Sequence, residues 1–364
     1  MTEIRPSTPQ DMPAVAALFQ RTFRDPRRPA PASLQSYLRE LFFEHPWFDP
    51  ELAPKVYVAA DGKVGGFIGS LPLRLVFAGR PVRAAIAGSL MVDGPQANPL
   101  AGARLLRAFF TGPQELSVSD SANPVSHGMW ERLGGKSAPT ESMEWLRAFR
   151  PAATATALAA EAVPLMRLAR PLAAVADGIA SRLNANPMRL ERAASPADDV
   201  EASEDELIRL IPELSATYSV RPAWDQATLR WLLRHAATKR QHGNAFRRVV
   251  RDKGGAPLGC YLYYGRARAI GRVLQILARQ DGVAPVIDAL FAHAHAQGCI
   301  AVRGRSHARF LDLLQRRGAI FFHRSSTVMH SHNVELASTI ATGDALVTGL
   351  SGDAWTRLVG DTFI

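Results

Sequence analysis

The sequence predicts an α/β fold in which mixed sheets are flanked by helices, arranged as two similar halves. Three observations lead to this prediction. The chain has 364 residues, enough for two domains of ordinary size. Hydrophobic residues make up 47% and charged residues 21% of the chain, the balance of a globular protein with apolar cores. A similar order of strand and helix patterns occurs twice, which indicates duplication or tandem fusion.

The first half begins with a short strand pattern at residues 3–5, followed by two amphipathic helices that start near Ser7 and Ser33. Strands are then predicted at 56–60, 64–77, 84–92 and 116–120, and helices at 100–110 and 124–133. The turn at Asp61-Gly62 is typical of a hairpin, because glycine readily supplies a positive φ. The predicted order is β-α-α-β-β-β-α-β-α.

A comparable order returns after a connecting segment. Helices are predicted at 205–214, 226–235, 283–296 and 307–317, and strands at 246–251, 258–264, 270–278, 300–303 and 321–329. We therefore divide the chain into an N-terminal domain of residues 1–150, a helical linker of residues 151–200 and a C-terminal domain of residues 201–364. The apolar stretch 152–182 contains charges such as Glu161 and Asp177, so we expect a connecting helix rather than a membrane span.

Charge and cysteine usage limit the classes of partner and ligand. The net charge is +10 with a sequence pI near 10.2, which attracts anions without selecting among them. The arginines are scattered, so a nucleic acid such as tRNA is a possible partner but not the favoured one. Cys260 and Cys299 lie in apolar runs without metal-binding spacing, and we expect no metal. The N-terminus lacks a secretory pattern, which predicts a cytoplasmic location.

Two segments of the first half have the pattern of an anion-binding loop and a ligand-contacting helix. Leu90-Met91-Val92 ends a strand, and Gly102-Ala103 opens the next helix, where small residues allow the backbone to approach phosphate oxygens. Further on, Asn123 precedes Trp130 by seven residues and Gly134 by eleven. Together with the order of elements, these segments resemble the GNAT superfamily of acyl-CoA-dependent N-acetyltransferases. That family has an L-x-V strand, a Q/R-x-x-G-x-G/A loop and an N-x-x-A-x-x-x-Y-x-x-x-G helix.

The resemblance implies that the first half binds acetyl-CoA or another acyl-CoA as co-substrate. The residues at the family's donor-binding positions are Leu90, Val92, Ala97, Gly102, Ala103 and Asn123. Ala97 stands at the Gln/Arg position of the loop and Leu100 at its first glycine. The second half lacks the family residues, with His307 at the asparagine position and Leu314 at the tyrosine position. It is expected to shape an acceptor groove or to bind a different donor.

Amine acylation needs a base, because the attacking nitrogen must lose a proton. Asp120, at the end of a predicted strand, is the candidate for this role. The resemblance also implies a tyrosine that protonates the leaving thiolate, but Trp130 stands at that position and an indole is not an acid. Ser119, Ser121 or water is expected to replace it. The predicted acceptor is an amine on a small molecule or peptide, and the sequence does not indicate an oligomeric state.

Two other functions remain open at this point. Peptidoglycan-bridge aminoacyltransferases are similar tandem chains that use aminoacyl-tRNA, and the basic charge and the weak loop favour that reading. A noncatalytic binding module would explain the missing tyrosine in both halves. In the second half, His307 lies among Arg303, Arg305 and Arg309, a basic segment that could hold an anion or form a solvated helix end.

Overall fold

The structure is a computed structural model that describes residues 2–96, 98–182 and 197–363. The chain divides into two compact units, and each is assembled from separate stretches of sequence. The first unit contains Met1–Ser142, Tyr218–Arg234 and Arg324–Ile364. The second unit contains Met143–Thr217 and His235–His323.

The strands, numbered along the chain, are β1 (Glu3–Pro6), β2 (Lys55–Val58), β3 (Val64–Phe77), β4 (Arg80–Val92), β5 (Leu116–Ala122), β6 (Lys136–Ser137), β7 (Met143–Ala148), β8 (Asp198–Glu201), β9 (Val220–Pro222), β10 (Asn244–Arg251), β11 (Pro257–Gly265), β12 (Ile270–Ala278), β13 (Ala301–Arg305), β14 (Ile320–His323) and β15 (Ser326–His330). The helices are α1 (Met12–Phe23), α2 (Ala32–Phe43), α3 (Ala101–Phe110), α4 (Pro124–Arg132), α5 (Pro139–Ser142), α6 (Pro151–Ala162), α7 (Arg170–Arg182), α8 (Glu204–Ser215), α9 (Gln226–Ala237), α10 (Val283–Ala296), α11 (Leu311–Arg316) and α12 (Val334–Ala341).

The first unit is built on a mixed sheet with the order β1-β2-β3-β4-β5-β15-β6, and β9 pairs with the far end of β3. Its neighbouring strands are antiparallel except for β4 and β5, which are parallel and joined through α3. A parallel connection needs such a crossover, and α3 buries its apolar face on the sheet through Leu105, Leu106 and Phe109. This face, with Ile68 and Trp130, forms a core on one side of the sheet.

The second unit repeats this construction in a sheet with the order β14-β7-β13-β12-β11-β10-β8. Its parallel pair is β12 and β13, and α10 makes the crossover. The core between α10 and the sheet includes Leu290, Phe291, Tyr261 and Trp145, all buried. The mixed sheets with flanking helices that the sequence predicts are therefore confirmed.

Strands that follow one another in the sequence can belong to different sheets. The single strand predicted at 321–329 is wrong, because this segment forms β14 in the second sheet and β15 in the first. The two strands are separated by Arg324 and Ser325. β14 pairs with β7, whereas β15 pairs with β5 and β6. The observed units therefore differ from a division at residues 150 and 200, because β7 joins the second unit and β15 joins the first.

In its described part, residues 151–182, the connecting segment contains two α-helices, α6 and α7, rather than one. The carboxylate of Asp177 in α7 accepts hydrogen bonds from the backbone N–H groups of Ala152 and Ala153, at 2.9 and 2.8 Å, and so satisfies the start of α6. The rest of the predicted linker, residues 183–196, lies outside the described residues. No helix within the described ranges is long and apolar enough to cross a bilayer.

Candidate active site

The parallel strands β4 and β5 separate over part of their length. Their ladder joins Ala84 to Leu116, Ala85 to Ser117 and Ile86 to Val118, whereas the strands continue to Val92 and Ala122. A pocket of about 260 Å³ lies where the ladder ends, and residues 87–90 of β4 and 119–123 of the β5 side line it. The opening therefore exposes backbone groups that a continued sheet would have paired.

A β-bulge in β4 borders this pocket. Phe67 of β3 lies opposite Met91, and Gly69 lies opposite Gly88, so β4 carries one more residue than β3 between these points. Ser89 within the bulge has a φ of 52°, a value that L-residues rarely adopt. Bulges redirect backbone and side chains at functional sites, and Gly88, Ser89 and Leu90 all line the pocket.

The apolar wall of the pocket is built by α1, α3 and α4. Phe19, Leu106 and Trp130 contribute to it. Trp130 is 1% exposed and packs edge to face on Phe110, with ring centroids 4.7 Å apart. The indole therefore acts as a core aromatic that presents an apolar surface to the pocket.

A carboxylate from the far end of the chain enters the same pocket. Asp353 lines it, and its Oδ2 accepts a hydrogen bond of 2.7 Å from the hydroxyl of Ser121. This oxygen lies over Gly88, where an added Cβ would be only 3.3 Å away. Asp353 was not predicted from the sequence, because it follows β15 by more than twenty residues and no motif surrounds it.

Asp120, the predicted base, takes a different position. Its side chain is 3% exposed, and its Oδ1 accepts a hydrogen bond of 3.1 Å from the backbone N–H of Asp353. It does not line the pocket, whereas Ser119 and Ser121, its neighbours in β5, do. The ladder between β5 and β15 shifts register here, so that Asp120 and Ser121 of β5 together lie opposite Thr327. At such an irregularity the side chains of a strand do not alternate strictly between the two faces, and both Asp120 and Ser121 contact Asp353.

The solved structures that resemble the chain in fold include a conserved protein of unknown function from Enterococcus faecalis described as a probable N-acyltransferase, and GCN5-related N-acetyltransferases from Kribbella flavida and Anabaena variabilis. Their TM-scores are 0.58, 0.56 and 0.58, at sequence identities of 12, 13 and 14%. The match covers 91, 91 and 92% of this chain and 72, 71 and 74% of theirs.

The chain shares the fold of these GCN5-related N-acetyltransferases. No family model matches the sequence, and no curated protein matches it. At such low identity the likeness rests on architecture, so the roles of individual residues have to be argued from this chain's own geometry.

Of the donor-binding positions implied by the GNAT resemblance, Leu90 and Asn123 lie at the pocket. Asn123 also caps α4, because its Oδ1 accepts a hydrogen bond of 2.9 Å from the N–H of Ser126. The asparagine of the GNAT-like signature is thus explained in part by its role as the N-cap of α4.

Three further positions implied by the resemblance, Val92, Gly102 and Ala103, lie away from the pocket lining. Val92 and Gly102 are close together, since a Cβ on Gly102 would lie 3.7 Å from Val92 Cγ2. Gly102 and Ala103 belong to the first turn of α3, where backbone N–H groups have no acceptor within the helix. Ala97 lies outside the described residues.

The sheet of the second unit has a comparable bulge in β12, but a side chain packs at the point where the ladder between β12 and β13 ends. Leu262 of β11 lies opposite Gln275 and Tyr263 opposite Val273, which gives β12 one extra residue. The ladder between β12 and β13 ends at Arg272 and Arg303. The ring of Trp145 then occupies the space beside Gly304, where an added Cβ would be 3.0 Å from it. Trp145 is 1% exposed, so the position that is open in the first unit is packed here.

The predicted basic segment of the second unit is engaged within that unit. Arg303 is 2% exposed and lies near the carboxylates of Glu144 and Glu161, at 3.7 and 3.4 Å. Arg309 donates hydrogen bonds of 2.6 Å to the carbonyl and the hydroxyl of Thr217. The Nδ1 of His307 accepts a hydrogen bond from the N–H of Arg309. These contacts describe an internal network rather than an open anion site.

Buried cysteines and histidines do not form a further reactive cluster in the described part of the chain. Within those residues, no group of three or more His, Cys, Asp or Glu side chains is arranged to hold a metal ion. Burial raises the pKa of the Cys260 thiol to about 12, which suppresses the nucleophilic thiolate. His330 stacks on Phe110 at 4.2 Å, and burial lowers its pKa, with a smaller contribution from His332.

Proposed function

We propose that this protein is an acyl-CoA-dependent N-acyltransferase and that its first unit binds the acyl donor. The observation that carries the proposal is the separation of β4 from β5 beside a bulge, in a GNAT fold. A thioester arm is long, narrow and mostly uncharged, and a slot between two strands offers it both apolar walls and backbone hydrogen bonds.

The residues of the first unit fit such a donor. Backbone N–H groups of the bulge can donate to the thioester carbonyl, whose oxygen gains negative charge during acyl transfer. The first turn of α3 offers further N–H groups with the positive end of a helix dipole, which suits a pyrophosphate. Gly102 keeps this turn free of side-chain bulk. Val92, Ala97 and Ala103 are proposed to border the same part of the donor.

A proton must reach the leaving thiolate, and Trp130 cannot supply it. Ser119 and Ser121 present hydroxyl groups to the pocket and are the proposed substitutes, directly or through water. The acyl group is proposed to be acetyl, and the acceptor an amine on a small molecule or peptide.

Calorimetric titration of acetyl-CoA tests this proposal with two neighbouring substitutions. Ser126 is half-buried and lines the pocket, whereas Val125 is 73% exposed and does not. Ser126→Phe should fill the slot and weaken acetyl-CoA binding at least about tenfold, the effect of losing ~1.4 kcal/mol. Val125→Phe adds a similar ring at the neighbouring position and should leave the affinity unchanged.

Absence of saturable binding to the unmodified protein would refute the proposal. Equal weakening by both substitutions would show that the donor does not enter this pocket. A noncatalytic GNAT-like module is the second candidate, because Trp130 stands where an acidic tyrosine is expected. That candidate predicts acetyl-CoA binding without thiol release in the presence of any amine.

A further inference from the structure

We propose that Asp353 binds the ammonium group of the acceptor and receives its proton during transfer, which makes the acceptor a primary amine that is cationic at neutral pH. This inference rests on the proposed acyltransferase function and extends it to a residue and a substrate class. The proposal follows from four features of the first unit: the position of Asp353, the hydrogen bond it accepts, the support of its backbone, and the charge of the pocket.

Asp353 lies beside the proposed acyl-binding position. Its Oδ2 packs over Gly88, the first residue of the β4 bulge that lines the pocket. A carbonyl carbon held by the bulge is therefore next to this carboxylate. A nitrogen that attacks that carbon must pass within reach of Asp353, which is the geometric requirement for a general base.

The hydrogen bond from Ser121 fixes the orientation of this carboxylate. The hydroxyl of Ser121 donates to Oδ2 at 2.7 Å, and a hydrogen bond to an ionised oxygen is stronger than one to a neutral acceptor. A carboxylate has lone pairs for more than one donor, so Asp353 can accept from Ser121 and from an ammonium group together.

Asp120 supports the backbone of Asp353, whereas Ser121 contacts its carboxylate. Its Oδ1 accepts from the backbone N–H of Asp353, and its carboxylate packs directly against Gly352. These contacts hold the turn that carries Asp353. In this proposal Asp120 is a positioning residue, and Asp353 takes the role of base that the sequence analysis gave to Asp120.

The charge next to the proposed acyl-binding position, that of Asp353, favours a cation. Among the described residues that line the pocket, Asp353 provides the one carboxyl group and Arg24 the one guanidinium. The Arg24 guanidinium donates hydrogen bonds to the backbone carbonyls of Phe23, Leu358 and Asp361, at 2.9, 3.1 and 2.8 Å. These N–H groups are therefore directed at the protein backbone rather than at a ligand. An anionic acceptor would meet Asp353 at short range in a partly desolvated site, which is unfavourable.

The chemical step balances with groups already named. The bound ammonium first gives one proton to Asp353, which releases it to solvent through water. The free amine then attacks the thioester carbon, the C–N bond forms, and the C–S bond breaks. The second N–H proton passes to Asp353 and from there, through a pocket hydroxyl or water, to the coenzyme A thiolate, so that the amide and the free thiol are the products and Asp353 is ionised again.

Asp353→Asn tests the assignment, because it keeps the shape and the acceptor for Ser121 but removes the charge. The probes are acetyl-CoA with 1,4-diaminobutane, n-butylamine and hydroxylamine, with thiol release as the readout. Hydroxylamine is neutral at pH 7, so it needs neither an ion pair nor the loss of an extra proton. We expect acetyl-CoA affinity to stay unchanged and kcat/KM for the alkylamines to fall about 100-fold. The loss with hydroxylamine should be much smaller.

Two further variants separate chemistry from folding. Asp353→Glu keeps a carboxylate and should retain the preference for alkylamines that Asp353→Asn loses. Asp120→Asn preserves the acceptor for the Asp353 N–H and should retain most of the wild-type activity. Thermal unfolding of each variant shows whether its fold is intact.

The outcomes distinguish this inference from the proposed function. Failure of acetyl-CoA to bind the wild-type protein refutes the proposed function itself. Donor binding without thiol release from either alkylamine overturns the cationic acceptor. An equal loss with hydroxylamine and with the alkylamines, in a folded Asp353→Asn protein, shows that Asp353 has only a structural role.

Discussion

At the scale of single residues, the site depends on the packing of Asp120 against Gly352. Gly352 has a φ of −107°, so its backbone conformation does not itself require glycine. The requirement comes from space, because an added Cβ would overlap the Asp120 carboxylate. Both residues are buried in the first unit, and the turn that carries Asp353 depends on this contact.

Gly352→Ala should therefore destabilise the protein, although alanine at this φ is otherwise harmless. Overpacking of a buried contact costs about 1–3 kcal/mol, and we expect a loss of this size in the free energy of unfolding, measured by urea denaturation. Gly79→Ala is unsuitable as a control because Gly79 has a positive φ, whereas Gly128→Ala adds a methyl group where nothing lies within 4 Å. A Gly352→Ala protein as stable as Gly128→Ala would contradict the proposed packing.

Single residues also show where sequence reasoning reached the site and where it stopped. Asn123 and Ser119 were found because local spacing places them at the end of β5, and both line the pocket. Asp353 was not found, because its relation to β5 is created by tertiary packing across more than 230 positions. Local patterns can indicate which strand end carries chemistry, but they cannot identify a side chain that arrives from a distant segment.

At the scale of elements, α4 begins at the pocket and is held there by its cap. Asn123 accepts from the N–H of Ser126, and Asn123 itself lines the pocket. The cap thus fixes both the first turn of α4 and the rim of the slot. Replacing Asn123 would therefore affect both the stability of α4 and the binding of a ligand in the pocket.

A pair of substitutions should separate these effects. Asn123→Ala removes the cap and should lower the free energy of unfolding by about 1 kcal/mol, while Asn123→Ser keeps a capping oxygen and should restore most of it. If the amide also contacts the donor, both variants should bind acetyl-CoA more weakly, as measured by calorimetry. An Asn123→Ala protein of unchanged stability would show that the cap contributes nothing to the fold.

The elements themselves were largely predictable, and their pairing was not. The strands β3 and β12 and the helix α10 have the bounds that their hydrophobic patterns predict, because each packs one face on a core. The strands β14 and β15 share one continuous apolar run in the sequence, yet they belong to different sheets. A hydrophobic pattern predicts that a strand is buried, but it does not predict the strand with which it pairs.

At the scale of the whole molecule, the first unit needs residues from three parts of the chain. Residues 1–150 lack β15, which lies between β5 and β6, and they lack β9 and Asp353. A fragment of residues 1–150 should therefore show no cooperative thermal unfolding and no acetyl-CoA binding, whereas the full chain is expected to show both. Cooperative unfolding of that fragment, with donor binding, would support independent tandem domains instead.

Histidines whose pKa is lowered in the folded state should make the whole molecule sensitive to acid. Burial lowers the pKa of His293 and of His295, each with a smaller contribution from a neighbouring arginine, and burial lowers that of His330 as well. A histidine whose pKa is lower in the folded state stabilises the fold above its unfolded pKa, about 6.5, and loses that contribution as the pH falls through the folded value. The melting temperature should therefore decline below about pH 6.5.

His293 provides a specific test of that pH dependence. Its Nδ1 lies 2.7 Å from the Tyr263 hydroxyl, and which of the two groups donates depends on the tautomer of the imidazole. Burial lowers the pKa of His293, so the folded state disfavours the protonated ring. His293→Gln keeps a hydrogen-bonding side chain that does not titrate, so its melting temperature should fall less steeply between pH 6.5 and 5. An unchanged slope would exclude His293 as a contributor.

The central claim, that the donor binds between β4 and β5 of the first unit, is tested most directly by hydrogen exchange with and without acetyl-CoA. We expect backbone amides in residues 86–92 and 119–127 to exchange more slowly when acetyl-CoA is present, because the donor covers the bulge and the start of α4. Amides in residues 270–285, at the corresponding position of the second unit, should be unaffected. Protection confined to residues 270–285, or protection nowhere in the chain, would contradict the claim.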